Sequence, residues 1–387
     1  MDRQDILDRV RQNRLSLGFA PQFHGDKEVV LAAVTVNGDD LRFASPQLKR
    51  EKPVVLTAVT ENGQALEYAS PELQADREVV LTAVRQNGWS LYFASPKLKA
   101  DKDIVSIAVR QNGMALRHAS PELKADREVV LTAVKQNGYS LQYASPEVKG
   151  DKDVVLSAVG QNGDALIYAL QFQADREVVL SAVRQDGHSL QYASDELKAD
   201  KDVVLNAVRQ NGYSLEFASD ELKADKDVVL NAVRQNGYSL EFASDELKED
   251  REVVSTAVQQ NGMVLRYSRL QGDPDIEKDA IQNSIGAIRY CTNIPVILDV
   301  IQRNVNALQY VNPSLFNYEF IKGLIDRNID VPEKYRELKH KLNSSIARLA
   351  VVKNLPPGHA RSISRNINKY FGGKTKRSKR RMKTRRS

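Results

Sequence analysis

From residue 26 to residue 272 the chain repeats one alternation of apolar and polar positions every 24 or 25 residues. Residues 76–100, DREVVLTAVRQNGWSLYFASPKLKA, show it in full. Counting the opening acid as position one, apolar side chains fall at four, five, six, eight and nine, and polar ones at three, seven, ten and eleven. At 100° per residue, positions four, five, eight and nine lie on one wide arc that position six extends, leaving a narrow polar stripe. The pattern predicts an α-helix buried on most sides, as a helix sandwiched between copies of itself must be.

The ends of that helix are also written in the sequence. An acid such as Asp76, Asp126 or Asp200 opens nearly every unit and can cap the free amide protons, with a second acid two residues on to oppose the helix dipole. At the other end stands Asn-Gly, as at Asn87–Gly88 and Asn211–Gly212. The glycine is expected to close the helix by entering the left-handed region at no steric cost. A shorter helix should follow, burying Leu91, Phe93 and Ala94 or their equivalents. A Ser-Pro step, as at Ser95–Pro96 or Ser120–Pro121, then opens one more tight turn ending in a buried leucine such as Leu123. No strand signal occurs in the unit.

Units begin at residues 2, 26, 51, 76, 101, 126, 151, 175, 200, 225 and 250, with worn copies near 273 and 293. Two of them, 200–224 and 225–249, differ only in their last letter. So regular a period predicts an all-α fold, an α-solenoid of about 13 helix-turn-helix repeats of 24 to 25 residues. A weaker doubled period also runs through it, since DRE opens units 76 and 126 whereas DKD opens 101 and 151. Position eight is alanine from Ala33 to Ala257, which should let neighbouring helices approach closely. Arg9 takes that slot in the first unit, where an N-terminal capping repeat (1–25) would turn it to solvent.

The motifs A-V-R-Q-N-G, L-x-Y/F-A-S and S-P-E-L, recurring in register over about residues 2–312, resemble the tandem repeats of the domain of unknown function 4116 family, whose members carry double units of roughly 50 residues. More loosely, the D-x-x-V-x-x-A-V-x-x-N core is similar to variant leucine-rich repeats that alternate α and 3₁₀ helices. Such likeness implies a fold and no activity. The pattern departs at 169–174, ALQFQA, and again after Ser268, where the stacking is expected to change.

The regular array (26–272) gives way to degenerate repeats (273–330), then to an amphipathic stretch read as a C-terminal helical cap (331–371) and a disordered basic tail (372–387). Lys374, Lys376, Arg377, Lys379, Arg380, Arg381, Lys383, Arg385 and Arg386 give that tail nine positive charges and no acid. The whole chain carries +6, so the remainder carries about 6 minus 9, or −3. A nuclear localisation signal, a nonspecific nucleic-acid clamp and a solubilising end are all open readings of the tail. Short tails of this kind after Gly-Gly resemble those of large DNA virus proteins. The charged N-terminus and the single Cys291 predict an intracellular protein and not a secreted one, and the resemblance of the tail implies a nuclear or virion-associated setting.

Candidate chemistry is sparse. The five histidines do not converge, and His118 takes the slot that Phe93 and Tyr143 fill elsewhere, which suggests an aromatic replacement. No metal-ligand spacing, cofactor motif or phosphate-binding loop is present, so neither enzymatic activity nor a cofactor nor a metal is expected. Variation among the units is more informative. Position 14 includes Gln64, Trp89, Met114, Tyr139, His188, Tyr213 and Tyr238; position 17 includes Glu67, Tyr92, Arg117 and Gln142. Arginines at position ten, Arg85, Arg110, Arg184, Arg209 and Arg234, are expected nearby. Trp, Tyr and Arg are enriched at binding hot spots; drift on a solvent-exposed rim is the competing explanation. The leading expectation is a non-enzymatic scaffold that binds an unknown protein partner along this edge, with the tail contacting nucleic acid and no membrane. The alternative is a helical-repeat nucleic-acid binder using the Arg and Tyr columns.

Overall fold

The computed structural model describes residues 2–327 and 329. The cap and tail expected over 331–387 lie outside the described residues. The chain divides into two compact units, Met1–Ser219 and Asp220–Ser387. Among the described residues every regular element is helical. Within each unit the long helices stack in chain order, the solenoid packing that the repeats predict.

One repeat serves for all. Arg77–Gln86 is the long α-helix, Gly88–Phe93 a 3₁₀ helix, and Pro96–Lys99 a single closing turn of α-helix. Asp76 caps the first by accepting from the N–H groups of Glu78 and Val79. Val79, Val80, Ala83 and Val84 are wholly buried, and so is the alanine column from Ala33 to Ala257. Arg9, the exception in that column, is exposed and pairs with Asp5 at 2.9 Å.

In the second element, the 3₁₀ helix Gly88–Phe93, Gly88, Ser90 and Leu91 are buried, and so is Ala94 just past its end. Phe93, expected in the core, is only half-buried, because its ring packs edge-on against the exposed Tyr92 at the surface. The α/3₁₀ alternation implied by the looser likeness is present throughout.

The glycine of the Asn-Gly step does not work as expected. Among the described residues the only glycine at positive φ is Gly272, at 99°. Asn87 leaves the helix in extended conformation, at φ −148° and ψ 112°, and its side chain accepts from Trp89 N–H to open the 3₁₀ helix. What requires glycine is the next repeat. A Cβ on Gly88 would stand 2.4 Å from the carbonyl oxygen of Ala108, and one on Gly138 2.2 Å from that of Ala158.

Three fasteners join successive repeats. Gln111 Oε1 accepts from Gly88 N–H at 2.8 Å, and Gln86 both accepts from Gly63 N–H at 2.7 Å and donates to Glu61 O at 3.2 Å. Position eleven thus ties down chain ends that helix geometry leaves unsatisfied. The backbone adds a second tie, Ser120 N–H to Lys99 O at 2.8 Å. The third is an ion ladder. Arg77 bridges Asp101 and Asp103, at 3.1 and 2.9 Å, and Lys102 bridges Asp126 and Glu128, both at 2.9 Å. At position three, arginine meets the shorter aspartate and lysine the longer glutamate, from Lys52–Glu78 through Arg176–Asp202 and again at Lys226–Glu252 and Arg251–Asp275. Matched reach explains the doubled DRE/DKD period. Arg3–Glu28 departs from it.

The irregular links are absorbed locally. At 169–174 the closing turn shrinks to the 3₁₀ helix Leu170–Phe172, and Gln171 Nε2 donates to Lys149 O at 3.3 Å where other repeats use a serine N–H. Lys152–Gln161 and Arg176–Gln185 still pack side by side across it. Past Ser268, Glu277 occupies a slot that is valine in the regular repeats and is completely buried. Its carboxylate accepts from Gly272 and Thr292 N–H, each at 2.6 Å, and from Asn293 N–H at 3.1 Å. The missing closing turn between Tyr290 and Ile294 leaves those amides to be satisfied, and Glu277 does so. Burial, beside Glu277, pushes the thiol of Cys291 well above its ordinary range.

Candidate functional site

The variable positions fall on the 3₁₀ helices and the turns that follow them. Trp89, Tyr139, Tyr213 and Tyr238 are the second residue of their 3₁₀ helices and are half-buried, each with its N–H on the preceding Asn side chain. Tyr92 is the fifth residue of its 3₁₀ helix and 56% exposed. In that segment side chains at i and i+3 eclipse, so positions 14 and 17 stand together.

Trp89 and Tyr92 line one groove of about 400 Å³ with Gln64, Phe93, Arg117 and His118. His118 is the hub of its aromatic wall. Its ring lies 5.6 Å from that of Trp89 and 4.9 Å from that of Tyr92, tilted by 60° and 61°. Tyr92 also meets Phe93 edge-on at 5.0 Å, and Lys99 Nζ stands 5.5 Å over the Tyr92 ring. Burial, reinforced by the charges of Lys99, Arg117 and Lys124, lowers the His118 pKa to about 4. At neutral pH the imidazole is therefore an uncharged aromatic face. Histidine takes over the aromatic slot, as the sequence suggests, but in a groove wall and not in the core.

Elsewhere the column is tied across repeats. Tyr139 donates to Asp164 at 3.4 Å, Asn211 Nδ2 lies 2.8 Å from His188 Nδ1, and the Arg266 guanidinium stands 5.9 Å over the Tyr238 ring. The arginines of position ten occupy a different surface. Arg85, Arg110, Arg184, Arg209 and Arg234 are exposed in the last turn of their long helices, where positive charge opposes the dipole. Arg184 lines a separate depression with Leu156, Gly160, Glu177, Ser181 and Gln185. None of the five lines the aromatic groove; Arg117, from position 17, is the guanidinium that does. Lys374 through Arg386 lie outside the described residues.

Sequence reasoning left Gln86, Gln111 and their equivalents on a solvated stripe, and missed their role as inter-repeat fasteners. The recurrence of glutamine at position eleven in every unit from Gln86 to Gln260 was the available signal. Among the described residues no cluster of three or more His, Cys, Asp or Glu is placed to hold a metal, and no helix is long and apolar enough to cross a membrane.

These features define an all-α repeat protein that alternates α and 3₁₀ helices about a column of alanines. The chain belongs to the domain of unknown function 4116 family (DUF4116), whose model matches residues 2–49, 26–74, 51–96, 76–124, 126–171, 175–223 and 225–269, more than half of the chain. Each match spans about two repeats. No curated protein matches the chain.

Proposed function

We propose that this chain is a non-enzymatic scaffold that binds a protein along the edge formed by positions 14 and 17. Its basic terminal segment would direct it to the nucleus or tether it nonspecifically to nucleic acid, in an intracellular setting. The observation that carries the reading is the division of labour within the repeat. From residue 76 to residue 260 the core, capping and fastening positions keep one chemistry, whereas the edge varies from Trp89 to Met114 to Tyr139 and exposes Tyr92 over a groove. Identical units present regularly spaced surfaces, which suits a scaffold better than a catalyst. Many of the abundant acids are engaged in helix caps and ion pairs, as Asp126 and Asp151 are, which leaves them poorly placed for proton transfer.

The test is affinity capture with the intact chain and with residues 374–387 removed. Protein partners are expected to survive the deletion. Binding to DNA and RNA is expected to vanish with it, and in the intact chain to fall steeply with salt because up to nine phosphate contacts release counterions. Nucleic acid retained by the truncated chain with the same salt slope would overturn the reading and move recognition onto the repeats themselves.

A further inference from the structure

We propose that the groove between the repeats starting at 76 and 101 takes a short acidic peptide, its carboxylates on Arg117 and the neighbouring lysines and one aromatic or apolar side chain against Trp89, Tyr92 and His118. This rests on the protein-binding reading above and names the partner chemistry for one stretch of that edge.

Charge is the first argument. Among the described residues, the cations of position two are engaged by acids of the next repeat, as Arg77 and Lys102 are. Around the groove the situation reverses: among the described residues Lys99, over the Tyr92 ring, Arg117, in the lining, and Lys124, close enough for its charge to act on His118, make no ion pair. Lys99 and Lys124 are partly desolvated, and burial lowers the affinity of both for their protons. An incoming carboxylate would restore what burial has removed.

Shape is the second. Tyr92 is the most exposed aromatic ring of the repeats from 51 to 149, yet it is held on both sides, by His118 and by Phe93. A rigid, half-solvated ring wall is what an anchor side chain needs, since little freedom is lost on binding. A volume of about 400 Å³ suits one or two side chains of a peptide.

A nucleic-acid strand fits less well. The rings are tilted by about 60° to one another at close quarters and leave no parallel slot for a base. The cationic cluster is also local, because position 17 turns acidic at Glu67, Glu216 and Glu241 and would repel a phosphate backbone that continued along the edge.

Trp89 is the only tryptophan in the chain, so its emission reports on this groove alone. The experiment titrates the full chain with the capped peptide DDFEE, with its charge-reversed counterpart KKFKK, and with an oligouridylate of similar length. Saturable change in Trp89 emission with DDFEE, half-complete below about 1 mM and absent with KKFKK, is expected. Arg117→Gln should weaken it about tenfold or more, through loss of a charged hydrogen bond. Arg176→Gln, which removes the same charge from the ion ladder, should change it less than about twofold. Circular dichroism melts keep both variants interpretable. No response to DDFEE, an equal response to KKFKK, equal losses in the two variants, or tighter binding of the oligouridylate would each overturn the proposal. Failure of DDFEE while a chain carrying Tyr92→Ala and Arg117→Gln still loses its captured protein would sink the groove assignment and leave the interaction edge standing; failure of DDFEE with capture intact in that chain would sink both.

Discussion

The two ends of the long helix are built on opposite plans. At its start, residues at positions one to three lock each repeat to the next through Asp caps and length-matched ion pairs, the same chemistry in copy after copy. Past its end, positions 14, 17 and 18 differ from copy to copy and bring Trp89, Tyr92, Arg117 and His118 to one groove. The regular end is fixed by what it touches, while the other end touches less and has been free to change. On the proposed reading, that contrast separates residues that make the scaffold from residues that would bind a partner, and substitutions can test where the line falls.

The largest effects belong to the close contacts between repeats. Gly138→Ala would put a methyl group 2.2 Å from a backbone oxygen, and Ala133→Leu would fill a site with no exposure at all. Each should destabilise by about 1–3 kcal/mol, whereas Tyr92→Ala should stay within about 0.5. Thermal melts that fail to separate these variants would erase the distinction between the two ends. Next come the glutamine fasteners: Gln111→Ala removes the acceptor of Gly88 N–H and should cost about 1 kcal/mol.

Acid titration sharpens the contrast by separating two pH windows. The folded pKa of His118 is about 4, below the ~6.5 of an unperturbed histidine. Between those values the unfolded chain binds a proton that the folded chain does not, so stability falls as pH drops through that window. His118→Phe should flatten the fall. Asp151 behaves differently: its hydrogen bond to Arg127, against burial and with help from Val154 N–H, holds its carboxyl below the usual range. Its contribution is present above the ordinary carboxylate pKa of about 3.9 and is lost only below it. The smallest effect is expected for one rung of the ladder. Arg127→Gln should lower the melting temperature slightly at low salt and less at 1 M, because Arg127 and Asp153 are exposed and screened while Asp151 is half-buried.

Much of the scaffold was legible in the sequence, because it is written in local periods. The caps, the buried valines, the alanine column and the outward Arg9 all follow from spacings within one helix. A short second helix was legible too, but its 3₁₀ geometry was only implied by the looser likeness to variant leucine-rich repeats, since six residues are too few to separate a 3.0 from a 3.6 period. The function of Gly88 was not, because the atom that excludes a side chain there is Ala108 O, twenty positions away. The same holds for Gln111, for the pairing of Arg77 with Asp103, and for Glu277, whose partners lie up to 16 residues along the chain. Neighbours in the stack are one repeat apart, beyond the reach of any helical or strand period. At the edge, the sequence set the position-ten arginines beside columns 14 and 17; in the structure they stand in the last turn of the long helices, none lines the aromatic groove, and Arg184 lines a different depression.

The most direct measurement of the central claim crosses the two ends in one binding assay. An edge variant, Tyr92→Ala with Arg117→Gln, and a ladder variant, Arg127→Gln with Arg176→Gln, are each melted and each used to capture protein partners. The edge variant should keep its melting temperature and lose its partner. The ladder variant should melt lower and keep it. A ladder variant that loses the partner while an intact melt and full capture persist in the edge variant would contradict the account.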